Sequence, residues 1–147
     1  MKPIRRAKIF LTFLQAALIG ALFLPAAKLN GSGVLLNTLG LARHYADLGR
    51  RLESIFYAAV AFGSPLATAV CVWCLNKRNG FGAAAWLSAL TALNHACFYS
   101  AVRVALYGSI TPVSIRMFVV ALAVFSLFVG IYGYLLVGPA PSGRKLR

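Results

Sequence analysis

The chain has 147 residues, of which 61% are hydrophobic and only 12% charged, with a mean hydropathy of +0.80 and a net charge of +13. Soluble domains carry about 25% charged residues, so this chain lacks the polar surface to cover itself in water, and its length is that of one domain. Its basic residues flank apolar runs instead of gathering on one exposed face, which excludes a nucleic-acid footprint.

Residues 9–27, 54–76, 79–102 and 117–143 contain no Lys, Arg, Asp or Glu, giving runs of 19, 23, 24 and 27 residues. A helix needs about 20 apolar residues to cross a bilayer. Lipid admits only helices and closed barrels, because every backbone polar group must be satisfied internally, and no period-2 alternation supports a barrel. The expected fold is all-α: a single-domain integral membrane four-helix bundle over residues 1–147. Its spans are expected at about 9–27, 55–75, 81–102 and 117–137, with an amphipathic interfacial helix at about 38–53 and a disordered tail at 138–147.

The first run ends near Pro25. Gln15 is its one strongly polar residue, and Ala16/Gly20 and Ala17/Ala21 have the spacing that lets helices approach closely. The opening also resembles a secretory leader. Cleavage after Ala27 would place Pro25 where a small residue is wanted, so the run is expected to stay as an anchor. "NGSG" at residues 30–33 reads as a flexible turn, and its Asn-Gly-Ser triplet is a glycosylation acceptor only in a eukaryotic lumen.

Residues 38–53, "TLGLARHYADLGRRLE", place Leu41, Tyr45, Leu48 and Leu52 at helical spacing opposite Arg43, His44, Asp47, Arg50 and Arg51. Ion pairs are expected between Arg43 and Asp47 and between Asp47 and Arg51, each four residues apart. This segment is too charged to span and is expected to lie on the outer membrane surface or to cap the bundle.

The second run carries Gly63 and Pro65, where a kink or local opening is expected. The short "NKRNG" makes the second and third runs an antiparallel hairpin, flanked by Trp73 and Trp86 as interface anchors. Thr111 and Pro112 read as the cap and first-turn proline of the fourth helix. With both termini inside, nine Lys and Arg lie on the inner side and six on the outer. The positive-inside rule therefore predicts cytoplasmic termini, in a multi-pass protein of a bacterial plasma membrane.

The third run interrupts its Ala, Leu and Phe with "LNHACFYS", residues 93–100. Ala84, Ser88, Thr91, His95 and Tyr99 share one helical face, and Tyr57, Ala61, Ser64, Thr68 and Cys71 repeat the spacing on the second run. Polar stripes of this kind should turn inward and meet as an interhelical seam. An ionisable group inside a span is also a functional candidate. The candidate ligand-binding residues are His95, Asn94, Tyr99, Thr91, Ser64 and Thr68. No cofactor is required by the sequence. Haem or quinone are the groups that His95 could serve, although His44, the other histidine, lies in the surface segment and gives no second axial ligand.

No acid falls within a predicted span, which removes carboxylate proton relays, di-iron centres and metal sites. "CVWC", residues 71–74, has redox spacing but stands at the cytoplasmic edge, where disulfides are reduced, and packing as small hydrophobes accounts for both thiols. There is no phosphate loop, GxSxG elbow or HExxH. The layout, with a long outer segment after the first span and "NHACFYSAV" in the third, resembles the anthrone-oxygenase-like four-helix membrane proteins. The likeness is one of layout, and no residue role is carried from it.

The expected function is that of a non-catalytic membrane subunit or assembly partner. It would meet the lipid bilayer and other membrane helices or a second copy of itself. The alternative is a membrane-embedded enzyme or carrier that binds a quinone-like or polycyclic molecule near His95, between the second and third spans.

Overall fold

The structure is a computed structural model and describes residues 3–138. In chain order the elements are α1 (Pro3–Ala21), β1 (Pro25–Leu29), β2 (Leu35–Asn37), α2 (Thr38–Asp47), α3 (Arg51–Cys74), α4 (Lys77–Ala105), β3 (Ile110–Pro112) and α5 (Ile115–Val137). The chain is mostly helical, as expected, but it also contains a three-stranded sheet of which hydropathy and periodicity give no sign. The expected tail falls, apart from Gly138, outside the described residues.

Four long helices pack side by side. α3 and α4 form the expected antiparallel hairpin, and α1 and α4 each pack against both α3 and α5, so those two stand diagonally opposed. α3 and α5 are long and apolar enough to cross a membrane. α1, with Arg5, Arg6 and Lys8 in its first turns, and α4, with Asn94 and His95 near its middle, fall short of the same measure. α3 runs without interruption through Pro65, and the Ser64 hydroxyl oxygen lies 2.6 Å from the Val60 carbonyl oxygen one turn back.

At one end the sheet and α2 form a cap. The strands lie antiparallel in the order β2-β1-β3, with Ala27 opposite Leu36 on one side and Pro112 on the other. Here the structure corrects two expectations. The first helix ends at Ala21 and not at Ala27, because residues 25–29 become the central strand and pair with residues 110–112. Thr111 and Pro112 therefore belong to β3, and α5 begins only after Ser114. The NGSG turn closes the β1–β2 hairpin with Gly31 and Gly33 at φ 91° and 70°, the left-handed region that favours glycine. Asn30 fastens this hairpin to the loop after α4, donating to the Gly108 carbonyl at 2.9 Å and accepting from the Thr111 hydroxyl at 2.7 Å.

The amphipathic segment is also shorter than predicted. Asn37 caps α2 by accepting from the Gly40 amide at 2.7 Å, and Gly49, at φ 88°, turns the chain into α3. Thr38, Leu41, Ala42 and Tyr45 form the buried face of α2. Leu48, which caps the end of α2, and Leu52, beyond the break, were expected on that face and are exposed. The polar-face pairing changes as well: among the described residues the ion pair is Arg50 with Glu53 at 2.9 Å, and Asp47 takes no part.

Glycines set how closely the helices approach. A Cβ at Gly80 would stand 2.7 Å from the Cys71 carbonyl oxygen, and one at Gly130 would stand 2.9 Å from the Ala85 nitrogen. A Cβ at Gly133 would run into the Phe81 ring, whereas one at Gly20 would meet nothing within 4 Å. Gly80→Ala is expected to destabilise the detergent-solubilised protein by about 1–3 kcal/mol, the cost of overpacking. Gly20→Ala should leave stability unchanged or slightly raised. Thermal unfolding followed by tryptophan fluorescence checks both, and equal midpoints would refute the close α3–α4 contact.

Candidate functional site

The buried apolar residues fall into two clusters. The larger, under the cap, includes Leu18, Ala61, Phe98 and Ala123. The smaller, at the opposite end, is built on Ala7, Leu11, Val72, Phe81 and Ala84, with Val129 packed against it. Between them each long helix buries polar side chains: Gln15 on α1, Ser64 and Thr68 on α3, Ser88, Thr91 and His95 on α4, and Ser126 on α5. A polar layer thus crosses the middle of the packed helices. Burying such groups unpaired costs free energy, so their partners are informative.

Most find partners across or along helices. Ser64 and Thr91 hydroxyl oxygens lie 2.6 Å apart; with one proton on each, one hydroxyl donates across to the other, which in turn donates back to a carbonyl of its own helix, Val60 at 2.6 Å or Leu87 at 2.7 Å. Thr68 and Ser126 donate to the carbonyls of Ser64 and Leu122 at 2.8 and 2.9 Å. The Asn94 amide reaches across to the Tyr57 carbonyl at 3.2 Å. Tyr99 bonds the Thr38 hydroxyl on α2 at 2.9 Å, tying the cap to α4.

His95 is fully buried, and its Nδ1 is hydrogen-bonded to the Tyr57 hydroxyl at 2.9 Å. The Tyr57 ring stacks on Phe98 with centroids 3.6 Å apart, and the His95 ring lies nearly parallel to that of Tyr99 at 6.0 Å. Histidine is therefore held in an aromatic cluster at the inner edge of the larger core. His95 Nε2, both polar atoms of the Gln15 amide and Ser88 Oγ are buried without a hydrogen-bond partner among the described residues.

Of the six sequence candidates, Ser64 pairs with Thr91, His95 and Asn94 both engage Tyr57, Tyr99 turns toward the cap, and Thr68 bonds its own helix. They form a seam and do not converge on one point. Tyr57, the partner of His95, was legible only as a member of the α3 stripe. Gln15 and Ser126 were not singled out as site residues, although Gln15 stands out as the one strongly polar side chain of its run. Cys71 and Cys74 are free thiols in the last turn of α3. Among the described residues no three His, Cys, Asp or Glu side chains gather as a metal site would require.

An open groove of about 440 Å³ reaches the seam from outside, lined by Tyr45, Glu53, Phe56, Tyr57, Asn94 and Cys97 among others. At its rim Tyr45 donates to Glu53 at 2.7 Å, and this bond to a carboxylate, with burial, holds the Tyr45 phenol above its ordinary pKa. No family model, curated protein or solved structure matches the chain.

Interhelical hydrogen bonds of this kind average about 0.6 kcal/mol, and Ser64→Ala is expected to cost about that much. His95→Ala removes a packed ring as well as a bond, and should cost roughly 2–3 kcal/mol. Unfolding midpoints of the two variants check the order. A Ser64→Ala loss as large as that of His95→Ala would mean that the seam supplies stability as well as helix pairing.

Proposed function

We propose that the chain is a four-span integral membrane protein with both termini cytoplasmic, acting in a bacterial plasma membrane as a non-catalytic subunit that binds other membrane helices. The observation that carries this reading is the distribution of polarity. Buried polar side chains of the long helices turn inward, where Ser64 meets Thr91 and Tyr57 meets His95, while Phe13, Phe56, Leu66, Trp86, Leu93 and Phe128 stand exposed on the outer faces of all four. In water that arrangement would leave large apolar patches uncovered; in hydrocarbon it is the favourable one. The count of Lys and Arg, nine on the side of the termini against six on the other, supports the orientation.

Support for a helix partner comes from α1. Ala16 and Gly20 lie on its exposed face, and the Gly20 position meets nothing within the chain. Small residues at this spacing let a second helix approach closely. Chemical crosslinking in native membranes, followed by purification in mild detergent, is expected to yield a larger complex. Gly20→Leu should dissociate it without lowering the unfolding midpoint. A homogeneous monomer, from wild-type protein that crosslinks to nothing, would count decisively against the proposal.

A second reading is favoured by one feature: the groove is lined by Tyr57, the hydrogen-bond partner of the wholly buried His95, whose Nε2 has no partner among the described residues. In this reading an apolar, quinone-like or polycyclic molecule enters from the bilayer, and Tyr57, Asn94 and His95 bind it. Titration of the purified protein with a short-chain quinone tests this reading. Binding that is lost in Asn94→Leu and His95→Ala, both still folded, would establish it over the first. Binding unaffected by either substitution would remove it.

A further inference from the structure

We infer that the groove between α4 and α5 is a binding site for one anionic phospholipid of the cytoplasmic leaflet, with Arg78 holding the phosphate and the groove an acyl chain. The inference deepens, and rests on, the membrane placement proposed above.

The groove has a volume of about 400 Å³, and its floor comes from small residues of α4, Gly82, Ala85 and Ala89. Leu127, Ile131 and Tyr134 of α5 form the opposite wall, and Trp86, 81% exposed, stands at its edge. Gly130 lets α5 pack closely on α4 at Ala85, and the small residues of the floor leave room for an extended chain.

Arg78 lies one turn before Gly82, at the mouth of this groove. Its guanidinium lies over the Tyr134 ring, 4.9 Å from the centroid, and donates to the Tyr134 hydroxyl at 2.8 Å. The Nε of Arg78 is buried with no partner among the described residues. The guanidinium is thus anchored by an aromatic wall of the groove, and among the described residues no carboxylate neutralises it, since Asp47 and Glu53 lie toward the other end. Lys77 adds a second positive charge beside it. A planar, unneutralised guanidinium at the end of an apolar trough fits a phosphodiester with an attached acyl chain. A partner helix would have to bring an acid to the same point.

Trp86 reports on occupancy. Trp73→Phe leaves it as the one tryptophan of the chain. This protein would be reconstituted in phosphatidylcholine vesicles with a minor fraction of phosphatidylglycerol, one lipid or the other carrying brominated acyl chains. Quenching per brominated lipid is expected to be roughly five-fold stronger for phosphatidylglycerol, the preference that one basic residue near an anionic lipid gives. In the same background Arg78→Gln should abolish the preference. Ala89→Phe, which fills the groove without touching the arginine, should abolish it too. Arg6→Gln removes a charge from the same end but from a different groove, and should retain it.

Equal quenching by both lipids in a protein that floats with the vesicles would overturn the lipid site alone. A preference lost equally in Arg6→Gln would reduce it to general surface charge and overturn it as well. Protein that stays in solution without detergent and fails to float would overturn the membrane placement itself.

Discussion

Polar groups buried among apolar helices must find partners, and in this chain that constraint decides how the helices stand. Tyr57 with His95 and Ser64 with Thr91 are satisfied only if α3 and α4 are antiparallel at one register. A shift of one residue would swing each group about 100° around its helix and leave it unpaired. Glycine sets the separation at which those bonds close, since Gly80 lies against the α3 backbone at Cys71. Apolar packing supplies most of the cohesion, but Ala, Leu and Phe alone would allow several registers. The polar layer between the two apolar clusters chooses among them.

The cap extends the same logic to the end of the helices. Tyr99 belongs to the α4 stripe yet bonds Thr38 at the start of α2. The Ser54 hydroxyl at the start of α3 donates to the Ala42 carbonyl at 2.7 Å, and Tyr45 reaches Glu53. These contacts hold α2 against the helix ends, while Asn30 and Thr111 hold the hairpin against the loop after α4. Two segments about eighty residues apart in sequence are thereby joined in one sheet, which fixes where α1 ends and α5 begins.

Inward polarity and outward apolarity also shape what the surface offers. The grooves on the helices are open and apolar, and what distinguishes them is the polar group at each mouth: Glu53 with Tyr45 at the cap end, Arg78 with Tyr134 at the opposite end. On the readings proposed above, those groups distinguish otherwise similar troughs, with Arg78 favouring a phosphate. The buried seam, by contrast, has most of its hydrogen-bonding capacity engaged, apart from atoms of His95, Gln15 and Ser88 that have no partner among the described residues.

The sequence by itself determined that most of this chain is helical, which faces of α3 and α4 are polar, and that those two helices form a tight hairpin. Such features depend on composition and on a period of 3.6 residues, both local properties. Three things were decided only by tertiary structure. Residues 25–27 read as the end of an apolar helix, yet 25–29 form a strand because residues 110–112 offer the backbone partners. The segment at 38–53 has helical periodicity throughout, but it breaks at Gly49 because α2 must fold down onto the ends of α3 and α4. His95 was legible as a polar residue in an apolar run, but its partner, Tyr57, and its aromatic surroundings were not. Contacts between residues 38 positions apart depend on helix register, and register is set by the whole set of buried bonds at once.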